Sequence, residues 1–371
     1  MAKWSAIAGF NLAVVPAAKK LFKSTPDKNE STANQTGLEN QGDQESFDAP
    51  LLQMLEKNLY SLARELGALK GSALKIGQMI ALYSEHFLPP EINDVLSRFY
   101  KDSPPIKWST MEKVIRTELG NERLSRLKIE PTSIGSASLG QAYRATLMPN
   151  QKAICLKVQY PGIDKAIDTD ISFLKFTLRA LNLRGIDFNP VFAEAKSMLL
   201  QELDYLQEAD STELFGDLLK TDSRYIVPKV IREFSTKKII ATEFIDADNL
   251  SSDLINEFTY KERNELAILA LELFFREFFE WGVMQTDPHF GNYKVKRTQN
   301  QSNQLVLLDF GATRRFNKDF LAAYYRMFLG AYSESIDEFI CGAEAIGLTK
   351  MESPKEDKKL LFDLSQLILE P

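Results

Sequence analysis

Asp287-Pro288-His289-Phe290-Gly291-Asn292, followed seventeen residues after the asparagine by Asp309-Phe310-Gly311, is the part of this sequence that decides its fold. An aspartate five residues ahead of an asparagine follows an amphipathic helical pattern from about Lys261 to Trp281, and the Asp-Phe-Gly follows the apolar run Leu305 to Leu308. That order is the one in which kinase-type phosphoryl transfer uses its residues. Asp287 is the candidate catalytic residue, placed to orient or deprotonate the acceptor. Asn292 and Asp309 are the candidate metal ligands. Oxygen donors of this kind suit Mg²⁺ (or Mn²⁺), which keeps water and phosphate oxygens as its other ligands. Asp-Phe-Gly alone would be an unremarkable turn, and it is order, spacing and the preceding helix together that carry the reading.

A phosphate site also needs a cation. Ala153-Ile154-Cys155-Leu156-Lys157 puts a lysine at the end of an apolar strand, in the V-A-I-K manner. Lys157 is therefore expected at the nucleotide phosphates, with Glu208, on a later helix, as its ion-pair partner. Thr242-Glu243-Phe244 ends a strand between the two halves, and the order of elements makes Glu243 and Phe244 the segment expected to meet the adenine. The loop meant to cover the phosphates, Gly135-Ser136-Ala137-Ser138-Leu139-Gly140, lacks G-x-G-x-x-G spacing. With Ala137 and Ser138 in place of glycine it is stiffer and approaches phosphate differently.

The remainder of the chain frames this site. Its 371 residues are 44% hydrophobic and 26% charged, enough for one large core or two lobes. Only Cys155 and Cys341 occur, each in an apolar segment, which excludes a disulfide scaffold. A net charge of −6 without a large basic block argues against nucleic acid as a partner. Trp4 to Ala18 is almost wholly apolar and is followed by Lys19, Lys20 and Lys23. An interfacial membrane helix, a cleaved targeting peptide and an ordinary docking helix all fit it. Ser24 to Asp48 is polar and reads as a disordered linker. Leu51 to Phe99 has helical apolar spacing broken at Gly71 and Pro89-Pro90, and Trp108 to Leu119 is a further helix with Ser109 or Thr110 as N-cap and Gly120 past its end.

The period changes after Pro131. Strands are expected over Ile134 to Leu147 and Ala153 to Val158, joined by a Pro149-Asn150 turn. Long helices follow at Ile163 to Leu183 and Val191 to Leu219, then strands at Ile226 to Ile231, Lys238 to Phe244, Tyr293 to Val295 and Leu305 to Leu308. The fold class is α+β: a protein-kinase-like bilobal fold, with a small β-rich N-lobe and a helical C-lobe.

Lys75-Ile76-Gly77-Gln78, Glu202-Leu203-Asp204 followed by Glu208-Ala209, Leu139-Gly140-Gln141, Lys157 to Gly162, Gln285-Thr286-Asp287-Pro288 and Leu308 to Ala312 resemble the UbiB (AarF, ADCK-like) family of atypical kinase-like proteins. The wording of the last two is similar to the branch associated with ubiquinone (coenzyme Q) biosynthesis. The resemblance runs from about residue 51 to the end. It implies ATP or ADP with a divalent metal, and a KxGQ extension whose helices fold across the site. Lys75, Gln78, Glu202 and Asp204 would then be regulatory, with Lys75 paired to Glu202. The domains expected are an apolar and basic segment (1–23), a linker (24–48), the helical KxGQ extension (49–120), an N-lobe with a helical insertion (121–244) and a C-lobe (245–371). The partners it implies are a membrane carrying lipid or quinone precursors, ubiquinone-biosynthesis enzymes and a homodimer. The location would be a bacterial inner membrane at its cytoplasmic face or a mitochondrial inner membrane.

Blander readings suit other residues. His289 and His86 have no partner at metal spacing and read as structural. Phe274, Phe275, Phe278 and Phe279 read as core rather than a quinone pocket. Two functions remain: an atypical kinase or ATPase, and a nucleotide-sensing scaffold with little turnover. A small-molecule kinase of the antibiotic-modifying type shares the D-P-x-x-x-N loop but would not be expected to carry the KxGQ and ExD elements.

Overall fold

The computed structural model describes residues 106–136, 139–148, 150–180, 189–250, 252–287, 290–297 and 303–369. They form two compact units, one running to Asn317 and one beginning at Lys318, each with its own core.

The first unit opens with helix α1 (Trp108–Leu124), whose Met111, Ile115 and Leu119 recur at helical spacing and are buried. Gly120, with φ of +70°, kinks the helix, which then runs on to Leu124. Lys107 holds the N-cap position, so neither Ser109 nor Thr110 caps it. Next come β1 (Leu127–Ser136), β2 (Gly140–Leu147) and β3 (Lys152–Gln159), then α2 (Ile163–Ala180), α3 (Asn189–Glu202), α4 (Tyr205–Leu219), a short β4 (Tyr225–Ile226) and β5 (Ile239–Glu243). An antiparallel sheet is built in the order β1-β2-β3-β5.

The single strand expected over Ile134 to Leu147 is thus two. β1 begins earlier, at Leu127, and its register against β2 shifts between Ile129 and Gly135. β1 is an edge strand with mostly exposed side chains, so no apolar alternation announced it. At the β2–β3 turn the left-handed residue is Gln151, with φ of 57°, whose N–H donates to Leu147 O at 2.8 Å.

The period of two along β3 does the main sorting. Ile154, Leu156 and Val158 are fully buried on one face, packed with Met111 and Ile115 of α1, Ile163 and Ile167 of α2, and Phe192 and Leu199 of α3. Helix α1, assigned from sequence to the extension, therefore shares the sheet's core. Lys157 and Cys155 occupy the opposite face of β3 by the same alternation. Burial pushes the Cys155 thiol up to about 11, which fits an unreactive buried thiol.

The helix expected over Val191 to Leu219 is interrupted. Asp204 leaves helical geometry (φ −92°, ψ 83°) and its carboxylate accepts from Gln207 N, capping α4 at 3.1 Å. The buried stripe of α4 is Tyr205, Glu208, Ala209, Thr212, Phe215 and Leu219, so a carboxylate sits within an otherwise mostly apolar seam.

After β5 come β6 (Asp248–Asn249), α5 (Ser252–Glu257) and α6 (Tyr260–Phe275), which starts at a Thr259/Glu262 capping box. The helical path of α6 widens into a π turn over Arg276–Trp281 and ends at Gly282 in the left-handed region. β7 (Val283–Gln285), β8 (Tyr293–Arg297), β9 (Asn303–Leu307) and β10 (Thr313–Arg315) complete the unit. One sheet has the order β4-β9-β8-β6, and β7 pairs separately with β10. The strand expected over Ile226 to Ile231 shrinks to β4 and an isolated bridge from Val230 to Thr242. A second core of Phe215, Leu219, Leu269, Leu273, Leu305, Leu307 and Phe310 joins the lower half of α4 to these strands.

The second unit is three helices, α7 (Lys318–Tyr332), α8 (Ile336–Ala345) and α9 (Lys355–Leu369), around Met327, Phe339, Ala343 and Phe362. A Cβ on Gly342 would lie 2.4 Å from Met327 N, and one on Gly330 2.3 Å from Phe339 N, so α7 and α8 cross where neither carries a side chain. Gly342→Ala is expected to lower stability by about 1–3 kcal/mol through overpacking. Urea unfolding followed by circular dichroism checks this, and an unchanged midpoint would show that the helices can spread without cost.

Candidate functional site

Lys157 leaves β3 on the face away from the core and meets two carboxylates. Its Nζ donates to Glu208 Oε1 at 2.8 Å and Oε2 at 3.0 Å, and to Asp309 Oδ2 at 2.8 Å. Three segments, β3, α4 and the turn after β9, thus converge on one ammonium, with Glu208 and Asp309 lying 51 and 152 positions from Lys157 in sequence. Burial is the largest influence on Lys157 and opposes its charge, but Asp309 and Glu208 together outweigh it and hold its pKa well above the ordinary 10.5. Burial is also the largest influence on Glu208, whose carboxyl is pushed up to about 7 against the pull of Lys157. Only 2% of Glu208 is exposed.

Two carboxylates around one ammonium leave an excess of negative charge, which favours a further cation. The Tyr205 ring lies against Lys157, with Nζ 5.1 Å from its centroid. Burial pushes the Tyr205 phenol far up, so it stays neutral. Phe310 packs on Phe215 of α4 at 4.6 Å between ring centroids, and Gly311 N donates to Asp309 Oδ1 at 2.9 Å. Together these fix the direction of the Asp309 carboxylate.

Strand pairing brings the second loop alongside. β7 pairs with β10 through Gln285 and Thr313, while β8 pairs with β9, so Thr286 and Asp287 after β7, and Phe290 to Asn292 before β8, lie beside the turn 308–312. Thr286 donates to Ala312 O through N at 2.8 Å and through Oγ1 at 2.7 Å. Leu308 N donates to Asn292 O at 3.0 Å. Asn292 Nδ2 donates to Asp287 O at 2.8 Å, which leaves Oδ1 as the oxygen for a cation. Gln285 Nε2 donates to Asp287 O at 3.1 Å and to Asp309 O at 3.0 Å. Tyr293 Oη donates to Gln285 Oε1 at 2.8 Å, and Gln285 N donates to Glu277 Oε2 at 3.0 Å. Burial pushes the Glu277 carboxyl up to about 8.

Of the residues expected from sequence, Lys157, Glu208 and Asp309 come into direct contact, and Asp287 and Asn292 share the loop beside them. Asp204 acts locally as the α4 cap. Glu202, at the end of α3, is close enough to raise the pKa of both Tyr205 and Glu208. Glu243 pairs with Lys152, and Phe244 lies under the Arg144 guanidinium. Their N–H groups donate to Lys229 O and Ala153 O, so neither of these two amide N–H groups is on offer to a base. Lys75, Gln78, Ala137, Ser138, His86 and His289 lie outside the described residues.

Gln285 was quoted from sequence only as part of a family motif, with no role of its own, and Tyr293 and Glu277 were not singled out. The available signal was a polar side chain two residues before Asp287, in a strand too short to display alternation. Among the described residues, no three His, Cys, Asp or Glu side chains gather as a metal cluster. Asp309 and Asn292 as the protein donors, with phosphates supplying the remainder, fit Mg²⁺ rather than zinc. An open groove of about 830 Å³, lined by Thr221–Arg224, Ile268, Leu271, Glu272, Phe275 and Arg276, includes none of these groups. The phenylalanine-rich segment beside it divides: Phe278 is buried and Phe274 is exposed.

Comparison with known proteins bears on the family and the fold. The ABC1 atypical kinase-like domain matches residues 98–340. The chain is 32% identical over 289 residues to "Atypical kinase COQ8, mitochondrial" of Schizosaccharomyces pombe, covering 77% of this chain and 46% of that protein. It is 32% identical over 317 residues to "Atypical kinase COQ8B, mitochondrial" of Danio rerio, covering 83% and 47%. The chain therefore spans about half the length of these curated relatives. A solved structure titled "The complex structure of Rv3197-erythromycin from Mycobacterium tuberculosis" superposes with a TM-score of 0.58 at 26% identity, over 87% of this chain and 82% of that one. The fold is kinase-like, mixed α+β, with a sheet-bearing N-lobe and a helical C-terminal region. Among the described residues, no helix is long and apolar enough to cross a membrane.

The raised pKa of Glu277 has a testable consequence for stability. Its carboxyl titrates at an ordinary 4.5 when unfolded and at about 8 when folded. The stabilisation from its proton is fully present below pH 4.5 and is lost as the pH rises through 8. In Glu277→Gln, which cannot ionise, stability relative to wild type is expected to rise through that window, by at most about 1.4 kcal/mol per pH unit. Denaturation midpoints of both proteins at pH 5, 6, 7 and 8 measure it, and a gap that does not change with pH would refute the assignment.

Proposed function

The chain belongs to the ABC1 atypical kinase-like family, and from that premise we propose that it is an atypical kinase or ATPase. It binds ATP or ADP with Mg²⁺ and supports ubiquinone biosynthesis at a membrane. The observation that carries this reading is the Lys157 ammonium held between Glu208 and Asp309, beside the loop bearing Asp287 and Asn292. Lys157 is placed for the α and β phosphates. Asn292 and Asp309 are placed to hold Mg²⁺, which when bound would offset phosphate charge and bridge the nucleotide to the protein. Asp287 orients the acceptor hydroxyl, or an attacking water, and takes its proton. The support for the pathway is the wording of the relatives' names together with the sequence motifs. The support for a mitochondrial or bacterial inner-membrane setting is of the same kind. The acceptor would be a lipid or a small quinone precursor, with biosynthetic enzymes of that pathway as partners.

Purified full chain with Mg²⁺-ATP and lipid vesicles is expected to release phosphate. Asp309→Asn is expected to lose Mg²⁺-dependent ADP binding. Asp287→Asn is expected to keep ADP binding while turnover falls about 10²–10⁴-fold, the range for losing a positioned general base. Binding with no turnover in any lipid tested would replace the enzyme by a nucleotide-sensing scaffold. No binding in wild type would remove the nucleotide reading altogether.

A further inference from the structure

Gln285 is 7% exposed, yet every polar group on its side chain is used. Its single side-chain nitrogen lies within 3.1 Å of both Asp287 O and Asp309 O, the backbone carbonyls of the two residues on which the chemistry depends. Without Gln285, Asp309 O would lose this donor and Asp287 O would keep only Asn292 Nδ2. The amide oxygen on the other side accepts from Tyr293 Oη at 2.8 Å. This decides which way the amide points. Turned over, Oε1 would face two acceptors and the loops would lose both bonds. Tyr293 in turn begins β8, directly after Asn292, so the residue that orients Gln285 is tied covalently to a candidate metal ligand. Asp287 O accepts from Asn292 Nδ2 as well, at 2.8 Å. Three groups of the site, Asp287 O, Asp309 O and Tyr293 Oη, are therefore linked through one amide.

We propose that Gln285 is a positioning residue that sets the separation of Asp287 and Asp309, its amide donating to both backbone carbonyls while Tyr293 holds it in that orientation. The inference rests on the nucleotide and Mg²⁺ reading above and adds to it what fixes the metal-binding geometry. A glutamine whose only task was filling space would need neither both donors nor an oriented oxygen. A clamp across the loops acts on the pair Asn292 and Asp309, and so on the cation more than on the base or sugar of the nucleotide. Glu277 supports the clamp from below by accepting Gln285 N at 3.0 Å, which fixes the backbone from which the side chain departs.

The test is a Mg²⁺ titration of fluorescent ADP binding to the full chain, alongside metal-free ADP binding in EDTA. Gln285→Leu and Gln285→Glu remove the donors at similar volume. Each is expected to raise the Mg²⁺ midpoint about 10–100-fold, the usual effect of losing a group that orients metal ligands, with metal-free ADP affinity changed less than about twofold. Tyr293→Phe removes one oxygen and is expected to raise the midpoint about fivefold, the equivalent of one hydrogen bond. If the Gln285 variants fail to fold, Tyr293→Phe decides the matter. Wild-type midpoints in folded variants would overturn the proposal and leave the nucleotide reading standing. Equal losses with and without Mg²⁺ would overturn it too, since they would mark general support of the fold. Absence of ADP binding by wild type in Mg²⁺ would overturn both.

Discussion

A half-buried ammonium shared by two carboxylates, one of them fully buried, organises the structure. Lys157, Glu208 and Asp309 come from β3, α4 and the turn after β9, and any one of them alone would be a poor occupant of its position. Taking charges out of water costs several kcal/mol per ion, and the mutual attraction repays this only with close geometry. The cluster is therefore weak evidence for stability and better evidence for specificity: α4 can pack with Glu208 in its buried seam only where Lys157 awaits it. The same helix spans two clusters, Tyr205 and Ala209 packing with Ile240 of β5 and Phe215 and Leu219 packing with the strands that lead to Asp309. The ion pair thereby fixes the relation of the first sheet to the Asp309 turn.

Around that point the acidic loops are placed by backbone rather than by side-chain chemistry. β7 with β10 and β8 with β9 bring the two turns side by side, and the bonds from Thr286 and Leu308 close them together. The Asp287 carbonyl is held by two donors, Gln285 Nε2 and Asn292 Nδ2. Under the proposed nucleotide-binding function this arrangement is favourable, because fixed backbone and oriented donors need little rearrangement when charge arrives. The burial that raises Glu208 and Glu277 leaves these carboxylates easily protonated near neutral pH, in contrast to an exposed surface carboxylate.

The sequence made some of this plain. Asp287, Asn292, Asp309 and Lys157 were legible because their order and spacing are fixed by a chemistry that needs oxygen donors and one cation in set roles. β3 was legible through its alternation, whereas Glu208 was picked out by the order of kinase-type residues and its burial on α4 was not. Element boundaries were less so. The break at Asp204 lies inside a run whose apolar period continues across it, and β1 is an exposed edge strand with irregular register. Gly120 and the π turn after α6 alter helices locally without altering composition.

What the sequence by itself determined is the class of fold, the chemistry of the central residues and the family, since these follow from residue type, spacing and local period. Only the tertiary structure decided that Lys157 bridges Glu208 and Asp309 at once, that the Glu243 and Phe244 amides are consumed by the strands around them, and that Gln285, Tyr293 and Glu277 hold the two acidic loops. Those facts depend on which distant segments meet. A side chain's partners across a sheet or between two loops are set by register and packing, which no local pattern of residues records.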